Sequence, residues 1–159
     1  MLAGVREILK PEDGMKLKLG LAVAAFAVAA SGFAVANEDI IGLRKQAMKV
    51  NGQAAKVSVG MIKGEIPFNA EVAAAAMMLI ADGSTEFVHL FPEGTETGDT
   101  KAGDAIWSDP DGFMAAGKAA ADAATAAAAA AADGQEAFGA AFGAVGQACG
   151  ACHEGYRKG

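Results

Sequence analysis

The chain has 159 residues, a length that one domain accounts for, and 53% of them are hydrophobic. Aromatic residues make up only 6%, so the composition favours closely packed helices over a β-sandwich, which needs β-branched and aromatic side chains. The formal net charge of −6 argues against nucleic acid as a partner.

The N-terminal segment has the pattern of a secretory signal peptide. A basic region precedes an apolar run over residues 19–30, and Ala34-Val35-Ala36 forms a small-residue cleavage site. The apolar run is too short for a comfortable membrane span, and an uncleaved anchor is the alternative. We therefore predict a signal peptide over residues 15–36, a mature protein in the periplasm and no stable membrane span after cleavage.

Met15 has the features of a translation start, because the basic region follows it directly. Residues 1–14 are therefore either an upstream extension or the product of a misassigned start. The predicted folded domain is the remainder, residues 37–159.

The first predicted helix runs from about Glu38 to Lys63. Two series of apolar residues recur in it at intervals of seven and give it a wide apolar face: Ile41, Met48, Ala55 and Ile62, and Ile40, Ala47, Ala54 and Met61. Lysines gather on another face: Lys45, Lys49, Lys56 and Lys63. The segment Gly64–Pro67 ends the helix, because proline disfavours helical geometry in the residue before it.

The second predicted helix is capped by Asn69 and continues to about Ala81, where Asp82-Gly83 ends it. Residues 84 to about 103 are rich in Gly, Thr, Glu and Asp, and we predict an irregular crossover there with a short helical turn. Such a long irregular stretch is unusual inside a small domain, but a bundle with one long connection accommodates it.

The third predicted helix begins either near Asp104 or after Ser108-Asp109-Pro110, passes through an alanine tract and stops at Asp133-Gly134. The fourth runs from about Gln135 to Tyr156. The elements together predict an all-α fold, an antiparallel four-helix bundle with one long crossover.

Both cysteines of the chain lie in Cys149-Gly150-Ala151-Cys152-His153, and this C-x-x-C-H pattern is the attachment signature of haem c. Two thiols add across the haem vinyl groups as thioethers, and the next residue brings an imidazole to the iron. On a helix these offsets fall on one face, so the three side chains can meet the same edge of a macrocycle.

Other interpretations of the two cysteines are weaker. A redox-active C-x-x-C pair usually lies at a helix N-terminus after a strand, and a zinc site needs four ligands, whereas the only other histidine is His89. A structural disulfide is permitted in the periplasm but leaves His153 unexplained. We therefore predict one covalent haem c, and a bundle without haem is the remaining alternative.

Glycines form a line along one flank of the fourth helix: Gly139, Gly143, Gly146 and Gly150. Glycine costs about 1 kcal/mol in a helix interior, so four on one flank indicate that something bulky approaches the backbone. A porphyrin and a tightly packed neighbouring helix are the two candidates.

In the location of this motif the chain resembles the class II c-type cytochromes, which comprise the cytochromes c′ and their low-spin relatives. The motif lies close to the C-terminus and is followed by Tyr156 and Arg157. Further matches are distributed through residues 38–158: Leu43-Arg44-Lys45-Gln46-Ala47-Met48, Gly64-Glu65-Ile66-Pro67-Phe68, Leu90-Phe91-Pro92, Gly94-Thr95 and Ala105-Ile106-Trp107. The resemblance implies a left-handed four-helix bundle with haem between the helices, often assembled as a homodimer.

The same resemblance implies roles for single residues. Cys149 and Cys152 correspond to the thioether anchors and His153 to the proximal axial ligand. Arg157 corresponds to an arginine beside that histidine, one helical turn beyond it on the same face. Arg44 corresponds to the first-helix arginine that can pair with a haem propionate, and a solvent-facing charge is the alternative.

Met48 occupies the position that faces the distal side of the iron in the resembled family. Methionine there ligates the iron in the low-spin members, which carry electrons. In cytochromes c′ the position often holds an apolar or aromatic residue, and the five-coordinate iron is open to nitric oxide or carbon monoxide. Some cytochromes c′ carry an unbound methionine, and Met48 also lies on the core face, where methionine commonly fills gaps.

We therefore expect a periplasmic monohaem cytochrome that carries single electrons for redox partner proteins of a respiratory or photosynthetic chain. Binding of nitric oxide or carbon monoxide at a five-coordinate iron is the alternative. We expect no enzymatic activity, because a peroxidase would need a distal histidine or arginine and no distal histidine is evident. His89 is interpreted as a surface residue and Trp107 as a packing anchor. The lysine face of the first helix is either a docking surface for an acidic partner or a solvated face.

Overall fold

Helices form almost all of the regular structure in residues 39–159, the part of the chain that this computed structural model describes. The predicted signal peptide and the segment upstream of it lie outside the described residues. The helices are α1 (residues 39–62), α2 (Ala70–Phe87), α3 (Ala105–Ser108), α4 (Pro110–Ala130) and α5 (Gln135–Tyr156). The four long helices are the predicted ones, and short connections join α1 to α2 and α4 to α5, as in antiparallel helix pairs.

The end of α1 agrees with its prediction to within one residue. Gly64 follows the helix with φ +73°, a backbone conformation that glycine adopts without steric cost. The amide of Glu65 then donates to the carbonyl of Gly60 at 2.9 Å, which satisfies one of the last carbonyls of the helix.

The predicted start of α2 is confirmed and its predicted end is wrong. The side-chain oxygen of Asn69 accepts a hydrogen bond from the amide of Val72 at 2.9 Å and so caps the helix. The helix continues through Asp82-Gly83 to Phe87. A Cβ on Gly83 would stand 2.6 Å from the Asn51 side-chain oxygen of α1, so this glycine permits a close contact between two helices.

Each of the two predicted starts of the third helix begins a helix of its own. The short helix α3 follows Asp104, and α4 begins with Pro110 at its first position. Asp109 caps α4 by accepting a hydrogen bond from the amide of Gly112 at 3.2 Å. A 3-10 turn (Ala131–Asp133) and Gly134, with φ +101°, then lead into α5.

Buried side chains from all four long helices, many of them alanines, make up the main core. Its members include Ala54 and Met61 of α1, Ala73, Met77 and Ile80 of α2, Ala124 and Ala127 of α4, and Phe138 and Val145 of α5. Alanine lets helix backbones approach closely, which agrees with the low aromatic content. Across residues 39–159, none of the helices combines enough length with enough apolar character to cross a membrane.

Aromatic rings form a second core where the crossover returns to the bundle. Phe91 packs edge-on against Phe87 and Phe113, each at 5.0 Å between centroids, and Phe113 packs against Tyr156 at 5.2 Å. The crossover is therefore anchored by its own side chains although it has no regular structure over residues 88–104.

Gly117 provides a test of helix packing. A Cβ on Gly117 of α4 would stand 2.4 Å from a methyl carbon of Val88 and 3.3 Å from the Ser84 carbonyl oxygen. Overpacking destabilises a folded protein by about 1–3 kcal/mol, and alanine stabilises a helix by about 1 kcal/mol relative to glycine. Gly117→Ala should therefore lower the free energy of unfolding by about 1 kcal/mol.

Gly42→Ala in α1 is the matched control, because Gly42 is exposed and a Cβ there would meet nothing within 4 Å. It should raise the free energy of unfolding in urea by about 1 kcal/mol. Equal stabilisation by both substitutions would show that the contact at Gly117 does not constrain the packing of α4.

Candidate haem site

The four long helices and the crossover line a cavity of about 710 Å³. Ligand pockets in proteins commonly measure about 300–1,000 Å³, so the cavity can hold a cofactor. Its walls are mainly apolar, with Ile41, Ile80, Phe91 and Phe142 among the lining residues. All six predicted site residues line it: Arg44, Met48, Cys149, Cys152, His153 and Arg157.

The last turns of α5 supply the attachment motif. Cys149 and Cys152 are half-buried free thiols and His153 is exposed. Burial raises the pKa of the Cys149 thiol. Burial also raises the pKa of Cys152, and the neighbouring Cys149 adds to that shift. Both thiols are therefore neutral at neutral pH, as expected for sulfurs beside an apolar cavity.

The residues present fit a haem c. Two thiols and an imidazole lie on one helix beside a cavity with apolar walls, and the porphyrin itself supplies four nitrogen ligands to its iron. Between residues 39 and 159 no group of three or more His, Cys, Asp or Glu side chains could hold a metal ion, so the zinc alternative has no support there. Cys149 and Cys152 would hold the macrocycle, and His153 would bind its metal.

Arg44 is buried, and the solvent-facing alternative for it is wrong, since only 4% of the residue is exposed. Its Nε donates to the carbonyl of Leu90 at 2.7 Å and its Nη1 to the carbonyl of Thr95 at 3.0 Å. Its Nη2 donates to the Thr95 hydroxyl, and the guanidinium carbon lies 4.1 Å from the centre of the Phe91 ring. Burial lowers the pKa of Arg44, whereas Glu96 raises it.

The structure therefore places this charge at the junction between α1 and the crossover. Thr95 extends the network, because its hydroxyl donates to the carbonyl of Pro92 at 2.6 Å. No role was predicted for Thr95 from the sequence. The match of Gly94-Thr95 to the resembled family was the signal that could have pointed to it.

Arg157 lines the cavity from a position that differs from the predicted one. It has extended backbone geometry at the C-cap of α5, so it does not continue the helical face of His153. The reason is a bridge between Arg157 and Ala102 of the crossover. The amide of Gly103 donates to the carbonyl of Tyr156, and the amide of Lys158 donates to that of Lys101, both at 2.8 Å.

Tyr156 is a site residue that the sequence analysis missed. Its hydroxyl donates to a carboxylate oxygen of Asp109 at 2.9 Å, and the other oxygen of Asp109 caps α4. One carboxylate thus joins the end of α5 to the start of α4. Tyr156 also lines the cavity, so its anchoring bears directly on the motif three residues before it.

Met48 and the glycine flank both border open space. Met48 is half-buried and lines the cavity. A Cβ on Gly143, Gly146 or Gly150 would meet no other atom within 4 Å, whereas one on Gly139 would lie 3.4 Å from Ile62. A tightly packed neighbouring helix therefore explains Gly139 and none of the other three.

His89 and Trp107 lie in the environments that were predicted for them from the sequence. His89 is exposed in the turn after α2 and does not line the cavity. The Trp107 ring packs against Phe91 at 5.9 Å, and its Nε1 donates to the carbonyl of Pro92 at 3.4 Å. Trp107 is thus a packing anchor, as predicted.

Arg44→Lys should lower the free energy of unfolding by about 3 kcal/mol. Lysine cannot replace three hydrogen bonds from one planar group, and hydrogen bonds to charged groups contribute about 1.5–3 kcal/mol each. Urea unfolding followed by circular dichroism measures the change. Lys45→Gln, which removes an exposed ion pair with Asp99, is the control and should cost less than about 1 kcal/mol. Equal small losses in both variants would contradict the anchoring role of Arg44.

Tyr156 is the only tyrosine of the chain, so its titration can be followed alone. Partial burial and the hydrogen bond to Asp109 raise its pKa above its ordinary value. The stabilisation from the neutral phenol is therefore present at neutral pH and is lost as the pH rises through the folded-state pKa.

Asp109→Asn keeps a helix-capping oxygen and removes the charge, so the pKa of Tyr156 should fall towards its ordinary value of about 10. Carbon-13 nuclear magnetic resonance of labelled tyrosine reports both titrations. An unchanged pKa in the variant would exclude Asp109 as a cause of the shift.

Comparison with known proteins agrees with this geometry. The family model for cytochrome c′ matches residues 39–157. A cytochrome c′ of Rhodopseudomonas palustris is 38% identical over 150 residues, which cover 90% of this chain and 97% of the relative. A cytochrome c-556 of Agrobacterium tumefaciens is 38% identical over 116 residues, covering 73% and 91%.

Solved structures show the same architecture. The structure of cytochrome c′ from Rhodopseudomonas palustris superimposes with a TM-score of 0.71 at 35% identity and covers 76% of this chain and 97% of that one. A nitric oxide complex of a mutant cytochrome c′ from Alcaligenes xylosoxidans superimposes with a TM-score of 0.70 at 32% identity, covering 77% and 97%.

Proposed function

Because this chain belongs to the cytochrome c′ family and its two cysteines fit haem c attachment, we propose that it carries single electrons through one covalent haem c. The observation that carries the proposal is that Met48 of α1 shares one cavity with Cys149, Cys152 and His153 of α5. Haem iron, when bound, alternates between its ferric and ferrous forms. The residues of the protein would hold the haem, tune its reduction potential and shield its iron.

Two residues that line the cavity could bind haem iron. His153 offers an imidazole and Met48 a thioether, and haem iron with this pair of ligands has a raised reduction potential. The mainly apolar lining of the cavity is a second means of tuning the potential. Relatives named cytochrome c-556 and relatives named cytochrome c′ both match the chain.

Two arginines that line the cavity would act on the haem. Arg44 uses three of its five N–H groups on Leu90 and Thr95, which leaves donors for a propionate in the cavity. Arg157 is exposed and lines the same cavity as His153, which suits it to influence the imidazole.

Gas binding is the second candidate function. One similar structure is a nitric oxide complex of a cytochrome c′. In the present chain Met48 is only half-buried beside a cavity of about 710 Å³. If the thioether leaves the iron free, a diatomic molecule can bind there.

The proposed setting is the periplasm, with redox proteins of a respiratory or photosynthetic chain as partners and a homodimer as the assembly. The lysine face of α1 is the proposed docking surface. Lys45 and Lys63 are paired with Asp99 and Glu65, at 2.5 and 3.9 Å. Lys49, exposed on the same helix, is available to an acidic partner.

Met48→Ala tests the proposed ligand. The purified ferric wild-type protein should show a six-coordinate low-spin spectrum with a methionine–iron charge-transfer band near the red end of the visible range. The variant should lose this band, become high-spin in electron paramagnetic resonance and have a lower reduction potential, because the thioether is gone.

Met78→Ala is the matched control, since Met78 is 43% exposed and does not line the cavity. A high-spin ferric wild-type protein at neutral pH would refute methionine ligation and favour gas binding. Mass spectrometry of protein from a host that attaches haem must show the added macrocycle, and a bare polypeptide would refute both functions.

A further inference from the structure

Ser84 is the one polar residue among those by which α2 lines the cavity. The others are Ile80, Phe87 and Val88. They lie three or four positions from Ser84 in the chain, so all four side chains share one face of the helix. Only 8% of Ser84 is exposed. This face of α2 therefore brings a single buried hydroxyl to an otherwise apolar wall.

The Ser84 hydroxyl differs from the other Ser and Thr hydroxyls of the four long helices. Ser58, Thr85 and Thr125 each donate to the carbonyl four residues earlier, at 3.0, 3.0 and 2.9 Å. The hydroxyl of Ser84 has no hydrogen-bond partner within residues 39–159. In that range the Asn51 oxygen is the only fully enclosed side-chain polar atom without a partner, so the Ser84 oxygen must reach open space. The open space that its helix face borders is the cavity.

The pairing of α1 with α2 places Ser84 near the level of Met48. The two helices are antiparallel, and a Cβ on Gly83 would stand 2.6 Å from the Asn51 oxygen, so these two residues lie at the same level. Ser84 is then about two positions from the level of Met48, or about 3 Å along the helix axis. Arg44, the candidate partner of a propionate, is about 9 Å away along the same axis. The hydroxyl therefore belongs to the part of the cavity that Met48 lines.

We propose that Ser84 is a ligand-binding residue, whose hydroxyl donates a hydrogen bond to a diatomic ligand of the haem iron on the α1 side of the cavity. Carbon monoxide and nitric oxide belong to this class, because each gains negative charge on its outer atom on binding to ferrous haem. A serine hydroxyl has one proton to donate to such an atom. The proposal deepens the gas-binding function and rests on haem attachment. It does not depend on whether Met48 ligates the iron at rest.

The test uses the haem-loaded protein with carbon monoxide as the probe. Met48→Ala is introduced first, so that the thioether cannot compete for the iron. Adding Ser84→Ala should shift the C–O stretching frequency to higher wavenumber, because a hydrogen bond to the oxygen weakens the C–O bond. Carbon monoxide should also dissociate about twofold to tenfold faster, the range that the loss of one hydrogen bond implies.

Ser58→Ala in the same parent is the matched control, because it removes the same group from another buried helix position. The Ser58 hydroxyl donates to the Ala54 carbonyl, and Ser58 does not line the cavity. This substitution should leave the stretching frequency and the dissociation rate unchanged.

An unchanged frequency in Ser84→Ala overturns the proposal, and so does an equal shift in Ser58→Ala. The melting temperature of the haem-loaded protein without carbon monoxide gives an independent readout. A merely structural role predicts that Ser84→Ala melts earlier than its parent. The proposal predicts an equal or higher melting temperature, because no hydrogen bond within the protein is lost and alanine is the better helix former. Failure of haem attachment appears separately, as a bare polypeptide in mass spectrometry.

Discussion

The buried guanidinium of Arg44 is the interaction on which the cavity depends. A stretch of 17 residues, 88–104, connects α2 to α3 without regular structure, and such a stretch would not hold a fixed position by itself. Arg44 ties two of its carbonyls to α1 and stacks on Phe91, so a charged donor and an aromatic ring act on the same segment. At its other end, the bridge between Ala102 and Arg157 ties the crossover to the end of α5. The irregular segment thereby becomes a wall of the cavity.

The same arrangement explains why residues with different roles at the site come from two helices. α5 carries the attachment motif, and its end is held by Tyr156, Asp109 and the crossover. α1 carries Met48, which lines the cavity without taking part in attachment. Changes on α1 can therefore alter what the iron binds while the covalent link remains, which suits a family whose members bear both the cytochrome c′ and the cytochrome c-556 names.

Glycines have different structural roles in this protein, and the local sequence does not distinguish these roles. Gly64 and Gly134 end or separate helices and have positive φ angles, as a sequence pattern suggests. Gly83 has the same kind of neighbours but lies inside α2, because its missing side chain makes room for Asn51, 32 positions earlier in the chain. The predicted end of α2 was wrong for this reason. The contact between Gly83 and Asn51 could not be predicted, because one polar residue on an apolar helix face resembles ordinary variation.

The sequence by itself determined the helical class, the bounds of α5 and the identity of the cofactor, because each depends on spacing within a few turns of one helix. The C-x-x-C-H motif needs only the geometry of its own helix to bring two thiols and an imidazole to one face. Only the tertiary structure decided that Arg44 is buried, that Arg157 leaves the helix and that Asn51 has an unpaired oxygen. These outcomes depend on contacts between residues tens of positions apart, and the energy of burying or pairing a polar group is set by what the fold brings next to it.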